Sequence, residues 1–164
     1  MYSLFERFLN TTSMMDAEIE LLGQGLAAIP ILESLFSGEA KNQFGIPYRE
    51  LGLPLRCGLE VARRLGRLAK PLEAYLREEL RSGNFVAAMA LGALESLEDE
   101  SISSLAFALN DSKSVDLPYE SACALIRCGQ STHPTVTAVT SSSIRAAKVL
   151  EKVTTHFAKV GQNV

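Results

Sequence analysis

Apolar residues recur at steps of three and four along almost the whole chain, and this spacing constrains the fold more than any other feature. Such spacing places apolar side chains on one face of an α-helix. The two-residue alternation that is typical of a half-buried strand occurs clearly only once, in residues 135–140. The sequence therefore predicts an all-α protein.

Capping residues and prolines divide this pattern into separate helices. Ser13, Asn84 and Ser143 each precede an apolar segment, where a side-chain oxygen can accept a hydrogen bond from a free backbone N–H. Proline fits the first helical turn because its missing N–H needs no partner there, and it opens segments at Pro30, Pro54, Pro71, Pro118 and Pro134. The predicted helices cover about 14–23, 27–37, 54–66, 71–82, 84–97, 100–110, 118–129, 134–141 and 143–160.

Pairs of helices repeat along the chain. The apolar stripe at positions 72, 75, 76 and 80 reappears at 102, 105, 106 and 109, an offset of about 30 residues that is typical of helical solenoids. The predicted units are 14–38, 53–83, 84–111 and 117–141, within a single domain spanning 1–164. We expect the helix 143–160 to cover the last pair and the apolar residues Leu4, Phe5, Phe8 and Leu9 to cover the first.

The Ala-rich segment 86–94, the segment 102–111 that follows it, and the segment 119–129 resemble the helix pairs of HEAT-like (armadillo-type) repeat proteins. The resemblance covers about residues 14–141 and implies a right-handed α-α superhelix of about four helix pairs with terminal capping helices. Two features depart from it: the connection 39–53 is long for a repeat loop, and the helix 134–141 is rich in threonine, which has poor helix propensity.

Composition indicates which kinds of partner and which cellular compartment to expect. With 16 basic and 19 acidic residues and no tryptophan, the chain has a net charge of −3, which disfavours nucleic acid as a partner. The three cysteines, Cys57, Cys123 and Cys128, do not form a disulfide framework, because their number is odd and no two have a suitable spacing. We interpret them as small buried apolar residues. The first eight residues lack a basic, apolar leader, and no long apolar stretch exists. We therefore expect a cytoplasmic protein that contacts no membrane.

The sequence contains no recognisable catalytic set. The spacings of a metalloprotease, a zinc finger, a phosphate loop and a dinucleotide fingerprint are all missing. The two histidines, His133 and His156, lie far in sequence from any cysteine. We therefore expect a protein that is not an enzyme, with no catalytic residue, no metal and no cofactor.

The long connection 39–52 contains residue types that are enriched at interfaces, namely Phe44, Tyr48 and Arg49. Loops on rigid scaffolds often bind partners, so these three residues are candidates for partner binding. The alternative is that Phe44 and Tyr48 fold back and close the gap between the first two helix pairs.

An acidic run follows the Ala-rich helix and includes Glu95, Glu98, Asp99 and Glu100. It can be a solvated turn whose charges favour the next helix N-terminus, or part of a docking patch for a basic partner. In HEAT-like proteins the second helices line a concave, partner-binding face. By that resemblance we expect exposed residues there, namely Glu73, Arg77, Ser103, Ser104 and Thr137; they too can be ordinary solvated positions.

Three functional hypotheses remain. The first is a protein-binding module, most concretely a bacterial immunity-type protein that neutralises a cognate toxin by binding its basic domain. The second is a HEAT-like enzyme or enzyme accessory, similar to chromophore lyases or DNA glycosylases. The third is homo-oligomerisation for a structural purpose, which the sequence leaves open.

Overall fold

The computed structural model describes residues 3–161, so Met1, Tyr2 and the last three residues of the predicted domain lie outside the described residues. The described residues form an all-helical structure, as predicted. Lys41 and Pro47 form an isolated β-bridge that belongs to no strand. The α-helices are α1 (Leu4–Phe8), α2 (Met14–Gly23), α3 (Ala28–Ser37), α4 (Leu53–Leu65), α5 (Glu73–Arg81), α6 (Phe85–Gly92), α7 (Asp99–Ala108), α8 (Asp116–Arg127), α9 (Pro134–Ser142) and α10 (Ile144–Gly161). Short 3-10 helices cover Gly25–Ala27, Tyr48–Leu51 and Gly66–Leu72.

Two of the three predicted capping residues are confirmed by the hydrogen bonds around them. Asn84 accepts from the Val86 N–H at 3.1 Å, and the Ser143 hydroxyl accepts from the Ala146 N–H at 3.2 Å. Ser13 precedes α2 as predicted, but its hydroxyl donates to the Arg7 carbonyl instead of capping the helix.

The helix predicted over 84–97 ends earlier, at Gly92. Glu95 has a φ of 66°, in the left-handed region, so the helix cannot continue through it. Leu94 is nevertheless buried, which explains why the apolar spacing continues beyond the true end. Pro71 also differs from prediction, because it lies in the 3-10 helix before α5 and not at the start of α5.

The helices pack in two rows. In the first row, α2, α4, α6, α8 and α10 each contact the next member, and in the second row α3, α5, α7 and α9 do the same. The rows contact each other through α3 with α4, α5 with α6, α7 with α8, and α9 with α10. A continuous apolar core that includes Leu59, Leu76, Leu91 and Leu105 fills the space between them. α1 packs on α2 and α4 with Phe5 and Phe8 buried, at the end of the molecule where we expected a covering segment.

Within the first row, α6 and α8 approach each other closely at Gly92. A Cβ atom added to Gly92 would lie 2.9 Å from the Cα atom of Ala124. Side chains larger than glycine and alanine would hold these two helices apart, so the small residues of α6 and α8 determine this contact.

Within residues 3–161, no single helix is both long and apolar enough to cross a membrane. α2 and the segment Gly25–Ser37 meet the length and composition only when taken together, with a bend of 116° between them.

Candidate docking groove

A groove of about 710 Å³ lies on the second row, between the end of α5, the outer face of α7 and the loop that follows α7. We call it the acidic groove. Its lining residues include Leu80, Arg81, Asp99, Glu100, Ser103, Ser104, Phe107, Asn110, Asp111 and Leu117.

α7 supplies most of the polar lining because its residues at steps of three and four share one face. Glu100, Ser103, Ser104 and Phe107 form that face. The Ser104 hydroxyl donates to the Glu100 carbonyl at 2.9 Å, within the helix. At the far end, Asp111 accepts from the Lys113 and Ser114 N–H groups, both at 2.9 Å, which fixes the turn after α7.

The carboxylates of the acidic groove are poorly neutralised. The Asp99 side chain is 93% exposed, and its nearest cation-forming group is the His133 Nε2 at 3.7 Å. His133 Nδ1 accepts from the Thr135 N–H at 3.2 Å, so the neutral ring places its own hydrogen on Nε2. Glu100 is exposed, 3.5 Å from Arg77 Nη1. The groove therefore presents net negative charge.

The guanidinium of Arg81, which lines the acidic groove, is already engaged. Arg81 Nη1 donates to Glu78 Oε1 at 2.6 Å, and Arg81 Nε donates to the Ser104 hydroxyl at 3.2 Å. It therefore offsets little of the negative charge that Asp99, Glu100 and Asp111 contribute.

An exposed aromatic ring lines the same groove as these carboxylates, about two helical turns along α7 from Asp99 and Glu100. Phe107 is 67% exposed, although it belongs to an apolar-rich helix. A groove that contains both an exposed ring and carboxylates can hold basic side chains, because the ring face attracts a cation, the apolar stem packs on the ring, and the carboxylates attract further positive charge. The arrangement thus suits a lysine or arginine from another molecule.

Two predicted binding residues, Glu73 and Arg77, do not line the acidic groove but contact residues at the start of α7. The prediction that Glu73 is exposed is wrong: it is 2% exposed, because its carboxylate accepts the Glu98 N–H at 2.7 Å and pairs with Lys70. Arg77 is largely buried and contacts Glu98 at 3.1 Å and the Ser101 hydroxyl at 3.3 Å. Together they fix the N-terminal end of α7, where Asp99 and Glu100 stand.

The three candidate residues of the connection 39–52 differ in burial: Tyr48 and Arg49 contact the helices, whereas Phe44 is exposed. Tyr48 is 3% exposed, its ring lies 5.4 Å from that of Phe5, and its hydroxyl lies 3.0 Å from Ser3 Oγ. Arg49 donates to the Phe36 carbonyl and, at 2.6 Å, to Glu79. Tyr48 therefore folds back, as the packing alternative requires, and Arg49 ties the loop to the helices.

Phe44 behaves differently from Tyr48. It is 76% exposed at the loop tip, where Asn42 Oδ1 accepts from the Phe44 N–H at 2.9 Å. It lines a separate cavity of about 430 Å³ together with Leu9. Phe44 is thus available for contact, but it does not line the acidic groove.

The structure brings together only some of the predicted binding residues. Asp99 and Ser103 line the acidic groove, and Arg77 and Glu98 lie at its edge. Prediction missed Phe107 and Asp111 as groove residues. The signal for Phe107 was its position outside the apolar stripe of α7, since Leu105 and Ala106 are buried and Phe107 is not.

The thiols of the chain are shielded. Burial raises the pKa of Cys57 to about 12, with Glu18 adding to the rise, and burial also raises the pKa values of Cys123 and Cys128. A protonated thiol is a poor nucleophile at neutral pH. Among residues 3–161, no three His, Cys, Asp or Glu side chains form a group that could hold a metal ion.

Comparisons with known proteins give no further guide to this groove. No protein-family model matches the chain, and neither a curated protein nor a solved structure is significantly similar to it.

Proposed function

We propose that this chain is a non-catalytic protein-binding module that holds a basic segment of another protein in the acidic groove. The observation that carries the proposal is that the exposed Phe107 ring lines the same groove as the exposed carboxylates of Asp99 and Glu100. Aromatic anchors next to complementary charge are typical of protein interfaces.

We further propose that the scaffold is HEAT-like, a right-handed superhelix of about four helix pairs. Two observations support this. Helices in each row contact the next helix of the same row, as stacked pairs do. The Gly92–Ala124 approach provides the close packing that such stacking requires. A stacked scaffold would hold the acidic groove rigid, which lowers the entropy cost of binding.

The most concrete form of the proposal is an immunity-type protein, acting in the cytoplasm, that neutralises a cognate toxin. A toxin that acts on nucleic acid needs a basic surface, and a rigid acidic groove would cover such a surface. The HEAT-like enzyme alternative has weaker support, because the acidic groove repels phosphate and the thiols of Cys57, Cys123 and Cys128 are buried.

The test is affinity capture from the native cell with quantitative mass spectrometry. The variants are wild type, the groove double variant Asp99→Lys/Glu100→Lys, and a control double variant Glu33→Lys/Glu50→Lys, which makes the same charge change at exposed sites outside the acidic groove. We expect one basic protein to be captured in stoichiometric amount by wild type and control and to be lost with the groove variant. Equal capture by all three, or capture of nucleic acid alone, would refute the proposal.

A further inference from the structure

Exposed apolar side chains gather around the turn that follows α7, residues 110–115. Three of the four most exposed large apolar side chains among residues 3–161 flank this turn, and their exposed fractions are 87% for Val115, 76% for Ile144 and 67% for Phe107. The fourth is Phe44, on the connection 39–52. We call Phe107, Val115 and Ile144 the apolar rim.

Two members of the apolar rim are held beside the turn by backbone hydrogen bonds. The Phe107 carbonyl accepts from the Asn110 N–H at 3.1 Å. Val115 directly follows Ser114, whose N–H donates to Asp111 Oδ1 at 2.9 Å. Asn110 and Asp111 both line the acidic groove, so the end of α7 and the start of α8 each place an exposed apolar side chain at its edge.

The third member reaches the same turn from the start of α10. Both sequence neighbours of Ile144 bond to the turn: the Ser143 hydroxyl donates to Asn110 Oδ1 at 2.7 Å, and Arg145 Nη1 donates to the Asp111 carbonyl at 3.3 Å. Ile144 is therefore fixed next to the acidic groove, although it lies more than 30 positions further along the chain.

The two ends of the acidic groove differ in charge. Around the turn, the carboxylates of Asp111 and Asp116 are balanced in number by the cations of Lys113 and Arg145, so apolar surface is what distinguishes this end. At the other end, the carboxylates in the first turn of α7 are poorly neutralised. A partner segment that matches both ends is basic at one point and apolar at another.

The length of α7 sets the separation of those two points. Glu100 and Phe107 are seven positions apart, which corresponds to roughly 10 Å along the helix. An extended chain advances about 3.3 Å per residue, so about three residues cover this distance.

The floor between the two ends suits an extended main chain. It contains the small polar side chains of Ser103 and Ser104. Within residues 3–161, the Ser103 hydroxyl and the side-chain NH2 group of Asn110 form no hydrogen bond, so both can bond to a partner. An extended segment has backbone N–H and C=O groups that need such partners, whereas those of a helix are already paired.

We propose that the acidic groove and the apolar rim together bind an extended segment of a second protein in which a basic cluster and an apolar cluster are about three residues apart. The basic side chains pair with Asp99 and Glu100, and the apolar side chains pack on the apolar rim. Binding of this kind rests on the function proposed above, and it further specifies the composition and spacing of the partner segment.

Fluorescence anisotropy with the purified full chain and two labelled peptides tests the proposal. The first probe has about ten residues and contains a pair of lysines, a spacer of about three serine or glycine residues, and then leucine and valine. The second probe has serine in place of the leucine and the valine, so it keeps the charge and loses the apolar cluster.

The rim variant is Val115→Ser/Ile144→Ser. Both positions are at helix starts, where serine is well tolerated, so the variant should fold. The control is Ile19→Ser/Leu26→Ser, which also removes two exposed apolar side chains but outside the acidic groove and the apolar rim.

Wild type should bind the first probe about tenfold more tightly than the second. The rim variant should remove this difference by weakening the first probe alone, and the control should change the affinity for either probe by less than about twofold. The variant Asp99→Lys/Glu100→Lys should weaken the binding of both probes by about tenfold or more.

Equal affinity of wild type for the two probes, or equal loss of the first probe in the rim and control variants, would overturn the role of the apolar rim and leave the function proposed above standing. Absence of saturation by the first probe up to about 1 mM would overturn it as well. If Asp99→Lys/Glu100→Lys binds both probes as tightly as wild type does, the acidic groove itself is refuted, and the apolar rim with it.

Discussion

Replacing Gly92 with alanine should destabilise the protein, although alanine is the better helix former. The new Cβ would lie 2.9 Å from Ala124 Cα and 3.1 Å from Ala124 Cβ, so α6 and α8 must move apart. Overpacking of this kind costs about 1–3 kcal/mol. Gly92 is the last residue of α6, so the gain in helix propensity is only a fraction of the roughly 1 kcal/mol that applies in a helix interior. We expect a net loss of about 1–2 kcal/mol in the free energy of unfolding, and a melting temperature lower by about 3–6 °C.

Two other helical glycines provide matched controls for this substitution. A Cβ on Gly23 meets nothing within 4 Å, so Gly23→Ala should leave stability unchanged or raise it. A Cβ on Gly58 would meet the end of the Leu35 side chain and not a backbone atom, so Gly58→Ala should be intermediate. Urea unfolding followed by circular dichroism measures all three. If Gly92→Ala is as stable as wild type, the α6–α8 packing described above is wrong.

Three further predictions concern the two aromatic residues of the connection 39–52, the buried carboxylate of Glu73 and the buried thiol of Cys57. Tyr48→Ala should lower the free energy of unfolding by about 3 kcal/mol or more and Phe44→Ala by less than about 0.5 kcal/mol; similar losses in chemical denaturation would contradict their different burial. Glu73→Ala should cost about 2–4 kcal/mol, because the Glu98 N–H loses its acceptor and Lys70 its partner, and a loss below about 0.5 kcal/mol would argue against that contact. Burial raises the pKa of Cys57 to about 12, above that of an exposed thiol, so this thiol should resist alkylation until urea unfolds the chain. Because the pKa is higher in the folded state, the contribution of Cys57 to stability should be lost as pH rises from about 8.5 toward 12. Rapid labelling of native Cys57 near neutral pH would contradict its burial.

Helix content was predictable because it depends on local spacing. Burying one face of a helix requires apolar residues at steps of three and four, and capping residues such as Asn84 and Ser143 mark the ends. The early end of α6 was not predictable in this way. Leu94 continues the apolar spacing although Glu95 adopts a left-handed backbone, and this conformation is rare for glutamate.

The candidate site was predictable only where charge patterning showed it. The acidic run indicated Asp99, and the family resemblance indicated Ser103. The role of Glu73 depends on a hydrogen bond to Glu98, 25 positions away in sequence, and nothing local distinguishes such a glutamate from a solvated one. Phe107 lies outside the apolar stripe of α7, which indicates exposure, but nothing in the sequence shows that it lines a groove with Asp99 and Asp111.

Hydrogen–deuterium exchange of the chain with its captured basic partner tests the central claim most directly. If the acidic groove holds the partner, the backbone amides of α7 and of the turn at Asp111 should exchange more slowly in the complex, and Asp99→Lys/Glu100→Lys should abolish that protection together with binding. A stable complex in which residues 99–111 exchange at the same rate as in the free chain would contradict the account.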